Sequence, residues 1–173
     1  MTAENQPEPW LRGTFAEVPA VARAVLHALQ LAEDDLAKWC GDLSVEQLNA
    51  RPFGIASVAF QIRHIARSID RLLTYAEGAQ LNEAQMQALK TESDEASRAD
   101  LFRELRYALE RPAIRIRALA NSNLEMPRVV GRKGLPTTLG GLLVHVADHT
   151  QRHVGQAILS SKIVRNIKMQ TKD

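Results

Sequence analysis

Three histidines recur at four-residue intervals, His145, His149 and His153, and they are the residues of this sequence best suited to chemistry. Imidazole nitrogens bind zinc, nickel, copper or iron, and they exchange protons near neutrality. In a helix, each four-residue step leaves successive side chains about 40° apart around the axis and about 6 Å apart along it. Two adjacent rungs can grip one ion. All three cannot, because the outer rungs are about 12 Å apart while a metal–imidazole bond is only about 2 Å long. On a helical wheel Leu142, Val146 and Ala157 define the buried stripe, with His153 in its middle and His149 at its margin, while His145 turns towards Asp148 and Arg152. The expected pair is therefore His149 and His153.

A third ligand has to come from another element, and His64 lies on the edge of an apolar stripe elsewhere in the chain, in line with Ser57, Phe60, Ser68, Arg71 and Tyr75. Three histidines leave a coordination position open for water or substrate, which is the arrangement of a catalytic rather than a closed structural site. The same residues admit a plainer reading, as hydrogen-bonded histidines on apolar helix faces with no ion between them. In His149-Thr150-Gln151-Arg152-His153 no glutamate follows the first histidine, which argues against a zinc peptidase. No carboxylate base is evident near the ligands. Asp148, Gln156 and His145 are candidates for orienting a ligand imidazole through its second nitrogen. Arg71 and Tyr75 could meet an anionic substrate group, although an exposed arginine and a packed tyrosine explain them more simply. His27 has no partner that spacing identifies.

The elements that must position these residues read as helices. Val21, Val25, Leu29, Ala32, Leu36 and Trp39 recur at helical spacing between Pro19 and Gly41, predicting a first helix over about 19–40. Ser44 and Gln47 have the form of a capping box for a short helix. Ser57 caps a second long helix over about 57–77, whose stripe of Val58, Ile65, Ile69, Leu72 and Ala76 ends at Gly78. After a polar stretch with Ser93 and Ser97, a third pattern of Leu101, Leu105, Leu109, Ile116 and Leu119 is interrupted by Pro112, which predicts a bent helix. Residues 121–136 read as a crossover loop with a short extended piece at Val129 and Val130. Thr137 or Thr138 caps the fourth helix, over about 139–163, which carries the histidine ladder.

With 173 residues the chain reads as one all-α domain, with residues 1–17 a polar leader anchored by Trp10 and 164–173 a basic tail. Aromatics supply only 5% of the sequence against 45% hydrophobic residues, which suits packed helices better than sheets. A net charge of +2, spread along the chain, offers no footprint for nucleic acid beyond the tail residues Lys162, Arg165, Lys168 and Lys172. No run is long enough to span a bilayer, and the polar N-terminus argues against a signal peptide, so the expected location is the cytoplasm. The single cysteine, Cys40, reads as a packed thiol. Leu143, Val154, Ile158 and Ser161 form a further face of the fourth helix that a dimer contact could cover.

These motifs resemble the DinB family, also called DinB/YfiT-like metalloenzymes. The resemblance covers nearly the whole chain and rests on the opening of the first helix, on Leu43-Ser44-x-x-Gln47-Leu48 leading to Arg51-Pro52, and on Ser57 followed by His64. Its most specific part is His145-x3-His149-x3-His153-x-Gly155-Gln156. It implies a four-helix bundle with long crossover connections, often homodimeric, with nickel or zinc held by His64, His149 and His153. It also implies, more loosely, a thiol S-transferase or thiol-dependent isomerase using a low-molecular-weight thiol and a small-molecule substrate. A divalent cation suits that chemistry by deprotonating a bound thiol. Activation of water for hydrolysis, or a metal-containing module that binds a small ligand in a stress response without catalysis, are the competing readings.

Overall fold

The computed structural model describes residues 6–167. Short polar side chains set most helix starts by accepting a hydrogen bond from an otherwise unpaired backbone N–H of the first turn. After α1 (Ala20–Cys40), Ser44 and Gln47 form the reciprocal capping box of α2 (Val45–Asn49), and Ser57 caps α3 (Val58–Ala76). Asn82 and Gln85 form a second capping box at α4 (Glu83–Lys90), and Ser97 caps α5 (Arg98–Glu110). Then come α6 (Pro112–Leu119), an antiparallel hairpin of β1 (Pro127–Val130) and β2 (Leu135–Thr138), and α7 (Leu139–Asn166), capped by Thr138. The end of α3 is fixed by Gly78 at φ +82°, with the N–H groups of Gly78 and Ala79 returning to the carbonyls of Tyr75 and Thr74.

α7 packs along both α3 and α1, while α5 and α6 pack on α3 and α1 respectively. Four helical positions therefore surround one core, with α1 diagonal to α3 and α7 diagonal to the α5–α6 pair. Each diagonal step needs a crossing connection, supplied by α2 on one side and by the hairpin on the other. This is the all-α four-helix bundle with long crossovers. Its centre is filled by fully buried Leu36, Ile62, Ile65, Ile69, Ile116 and Leu143. Each such side chain contributes about 1.5–3 kcal/mol relative to an exposed one.

Several expectations are corrected. Pro112 does more than bend a helix: lacking an N–H and crowding the preceding turn, it divides the run into α5 and α6 and occupies the first position of the latter. The polar stretch before Ser97 contains α4, which buries none of its residues and so leaves no apolar stripe to read. The extended piece at Val129 has a second strand as its partner. Trp10 is not an anchor, being 62% exposed; Val18 is buried and Phe15 packs partly against the core in its place. The fourth helix runs on through Val164 to Asn166, three residues beyond its expected end. Within it Lys162 lies over the Trp39 ring and Arg165 pairs with Asp42. Lys168 and Lys172 lie outside the described residues. Leu143, Val154 and Ser161 are buried within this chain's own bundle and Ile158 packs partly against it, so that face is not open to a second copy. Among the described residues, no helix is long and apolar enough to cross a membrane.

Candidate metal centre

The seam between α3 and α7 is where the imidazoles meet. His64 lies two turns into α3, and His149 and His153 are one turn apart on α7, so side-by-side packing of the two helices brings two rungs of one against one ring of the other. Ring centroids are separated by 5.1 Å for His64 and His149, 4.3 Å for His64 and His153, and 4.5 Å for His149 and His153. One nitrogen from each ring lies within 4.8 Å of the other two. His64 Nε2 and His149 Nε2 are 2.9 Å apart. Two nitrogens bound to one tetrahedral ion would stand about 3.3 Å apart, given bonds of about 2.0 Å. The donor set thus fits a divalent ion after small ring rotations. Phe60 stacks on the His64 ring at 5.5 Å and limits its freedom to turn.

The outer nitrogens are engaged differently. His64 Nδ1 donates to Glu92 Oε2 at 2.8 Å, and Arg71 Nη1 donates to Glu92 Oε1 at 2.6 Å. His153 Nδ1 donates to the side-chain oxygen of Gln61 at 2.7 Å. Both rings therefore turn a lone pair at Nε2 towards the cluster. His149 Nδ1 has no hydrogen-bond partner among the described residues. With His64 neutral and its proton on Nδ1, the short contact has His149 Nε2 as its donor.

Burial and then the charges of the neighbouring imidazoles and Arg152 lower the His149 pKa to about 4, and burial, His64 and Arg152 lower that of His153 to about 4. Both rings are thus neutral, as metal ligands must be, at physiological pH. For Glu92, burial alone would raise the pKa; the hydrogen bonds from His64 and Arg71 outweigh it and hold the carboxyl below its usual value.

The other candidates lie outside the cluster, His145 with its ring centroid 5.2 Å from that of His149. His145 Nδ1 and Asp148 Oδ2 are 3.2 Å apart on the half-exposed outer face of α7, where Asp148 also pairs with Arg152. Gln156 is exposed and makes no side-chain hydrogen bond among the described residues. Arg71 is buried against Glu92, and Tyr75 is part of the core. His27 closes on Thr14, whose hydroxyl and carbonyl oxygens both lie 3.1 Å from its Nε2. The expectation that no carboxylate stands near the ligands is wrong, because Glu92 does. It escaped a reading by helical spacing because it lies in the connection between α4 and α5; Gln61, three residues before His64, could have been found on the same helix face.

A family model described as the DinB superfamily matches residues 28–157. This chain belongs to the DinB superfamily. The matched span holds the whole of α3, His64, Glu92, and both His149 and His153. Among curated proteins, none matches this chain. Membership in the DinB superfamily, together with three close imidazoles able to hold a metal ion, defines the site as a candidate metal centre.

Proposed function

We propose that this protein is a metal-dependent thiol S-transferase that joins a low-molecular-weight thiol to a small electrophile, with His64, His149 and His153 holding a nickel or zinc ion. The observation that carries the reading is the division of labour around the imidazoles: inner nitrogens converge, and the nearby carboxylate of Glu92 has both oxygens occupied by His64 and Arg71. A divalent ion in this centre would supply a thiolate at neutral pH by lowering the pKa of a bound thiol.

The chain's own groups favour thiol over water as the nucleophile. Glu92 is paired at each oxygen and has its pKa lowered, so it is poorly suited to taking a proton from water as a hydrolase base would. Cys40 is completely buried and its thiol pKa is pushed up to about 11, first by burial, so the reacting sulfur must come from a separate molecule. The cytoplasm, where small thiols stay reduced, suits this reaction.

The test is metal analysis of protein prepared without a metal-affinity column, followed by a panel of small thiols with an alkylating electrophile. Turnover that disappears on chelation and returns with nickel or zinc supports the transferase. Saturable ligand binding without product would make the protein a non-catalytic binding module, and hydrolysis without a thiol would make it a hydrolase.

A further inference from the structure

Glu92 belongs to neither helix that supplies the imidazoles, yet it is only 6% exposed. A buried carboxylate is costly unless its oxygens are satisfied by charge or hydrogen bonds. The connection that carries it, residues 91–97, is fastened along its length. Arg63 Nη1 donates to the carbonyls of Thr91 and Asp94 at 3.1 and 2.6 Å. Arg67 Nη1 donates to Thr91 Oγ1 at 2.8 Å, and Arg51 Nη2 to the Ser93 carbonyl at 2.6 Å. The Asn49 side chain pairs with both the N–H and the carbonyl of Ala96, each at 3.0 Å. Most of these bonds grip backbone, so they fix the path of the connection independently of its own side chains. What that path delivers to the bundle is the carboxylate of Glu92, together with the small core residue Ala96.

We infer that Glu92 is the positioning residue of the centre, holding His64 with its proton on Nδ1 so that Nε2 stays a lone-pair donor, while Arg71 keeps the carboxylate on the outer side of the ring. This rests on reading the three imidazoles as a metal centre. Glu92 meets His64 at the nitrogen that faces away from His149, so it is a partner of the ligand rather than a ligand itself. Nor does neutralising Arg71 account for it, because Oε1 alone serves that purpose and Oε2 is spent on His64.

The carboxylate makes His64 unlike its neighbours. A carboxylate can only accept, so it fixes the His64 tautomer outright, and its charge makes the ring a stronger donor. The amide of Gln61 does this more weakly for His153, and His149 has no such partner among the described residues. When His64 is neutral with its proton held on Nδ1, the proton in the short His64–His149 contact resides on His149. Through a neutral His64, Glu92 then also sets the tautomer of a ring on the other helix. Binding an ion requires His149 to move its proton to Nδ1, where nothing described opposes the change.

The experiment compares wild type with Glu92→Gln and Glu92→Asp. Zinc affinity is measured by competition with a chromophoric chelator, the thermal midpoint is taken without metal, and histidine tautomers are read by nitrogen-15 NMR with and without zinc. Glu92→Gln is expected to bind zinc about 10–100-fold more weakly, with Glu92→Asp in between. Metal-free wild type should show His64 with its proton on Nδ1, and Glu92→Gln should lose that preference. Zinc affinity within twofold of wild type in Glu92→Gln, with only the metal-free midpoint lowered, would mean that Glu92 merely neutralises Arg71 and would overturn the inference. Wild-type protein that binds no zinc or nickel would overturn the metal centre instead, while the tautomers of the metal-free protein would still decide the role of Glu92.

Discussion

His64 and His149 face one another across the α3–α7 seam with their Nε2 atoms 2.9 Å apart, although 85 residues separate them in sequence. No local preference of either helix brings this about; it follows from the packing of α7 on α3. The rings therefore report on tertiary structure and on any ion that replaces the bond between them.

Removing any one of the three clustered rings should abolish stoichiometric metal. His64→Ala, His149→Ala and His153→Ala are each expected to fall from about one bound ion to none, since two imidazoles hold a divalent ion far less tightly than three. His145→Ala, changing a ring whose Nδ1 faces Asp148, should keep its ion. Elemental analysis of the four variants decides this, and an empty His145→Ala together with a loaded His64→Ala would contradict the assignment.

Acid should destabilise the metal-free protein well above the carboxylate range. His149 and His153 have pKa values lowered from 6.5 to about 4, so between those pH values the unfolded chain binds more protons than the folded one. Stability from these rings is complete above about pH 6.5 and is lost as pH falls towards about 4. Glu92, also lowered, adds a contribution that is present above the ordinary carboxyl value and is lost as pH falls through its folded value. Urea midpoints measured from pH 7 to pH 4 should decline steadily, and a midpoint that rises on acidification would show that the rings are charged in the fold.

Cys40 should be a bystander. Because the thiol is inaccessible and its pKa is about 11, the folded protein should resist alkylation by iodoacetamide at pH 7.5 and become reactive in urea. Cys40→Ala is expected to cost about 1 kcal/mol of stability and to leave metal content and thiol-dependent turnover intact. Loss of turnover without loss of metal would bring Cys40 into the reaction.

Gly78→Ala tests the end of the helix that carries His64. The backbone there has φ +82°, and an added Cβ would make only ordinary contact with the Arg128 side chain, at 3.8 Å. The cost is then conformational, about 1–2 kcal/mol. Chemical denaturation should show that loss with metal binding little changed, as the substitution lies several turns beyond His64.

The parts of this molecule that could be read in the sequence are those governed by local rules. The Ser44–Gln47 capping box, the apolar stripes of α1, α3 and α7, and the four-residue spacing of the histidines each follow from helix geometry and could be recognised one segment at a time. α4 was lost because it packs through no buried side chain, and β2 because Leu135-Pro136-Thr137-Thr138 alternates too little to announce a strand. Glu92 was lost for a different reason. Its significance lies in where Arg51, Arg63, Arg67 and Asn49 hold the backbone around it, and none of those contacts has a sequence period. Arg71 was noticed for the right position on α3 and given the wrong partner, since no wheel of one helix can show a carboxylate arriving from a loop.

α7 follows every other described element in the chain, and it carries two of the three clustered rings. A ribosome that has released only α1 to α6 has therefore made a polypeptide with a single imidazole at this position and nothing to chelate with. If the cluster holds an ion, its capture must wait until α7 has been synthesised and has docked, so the timing of loading would follow the order of translation.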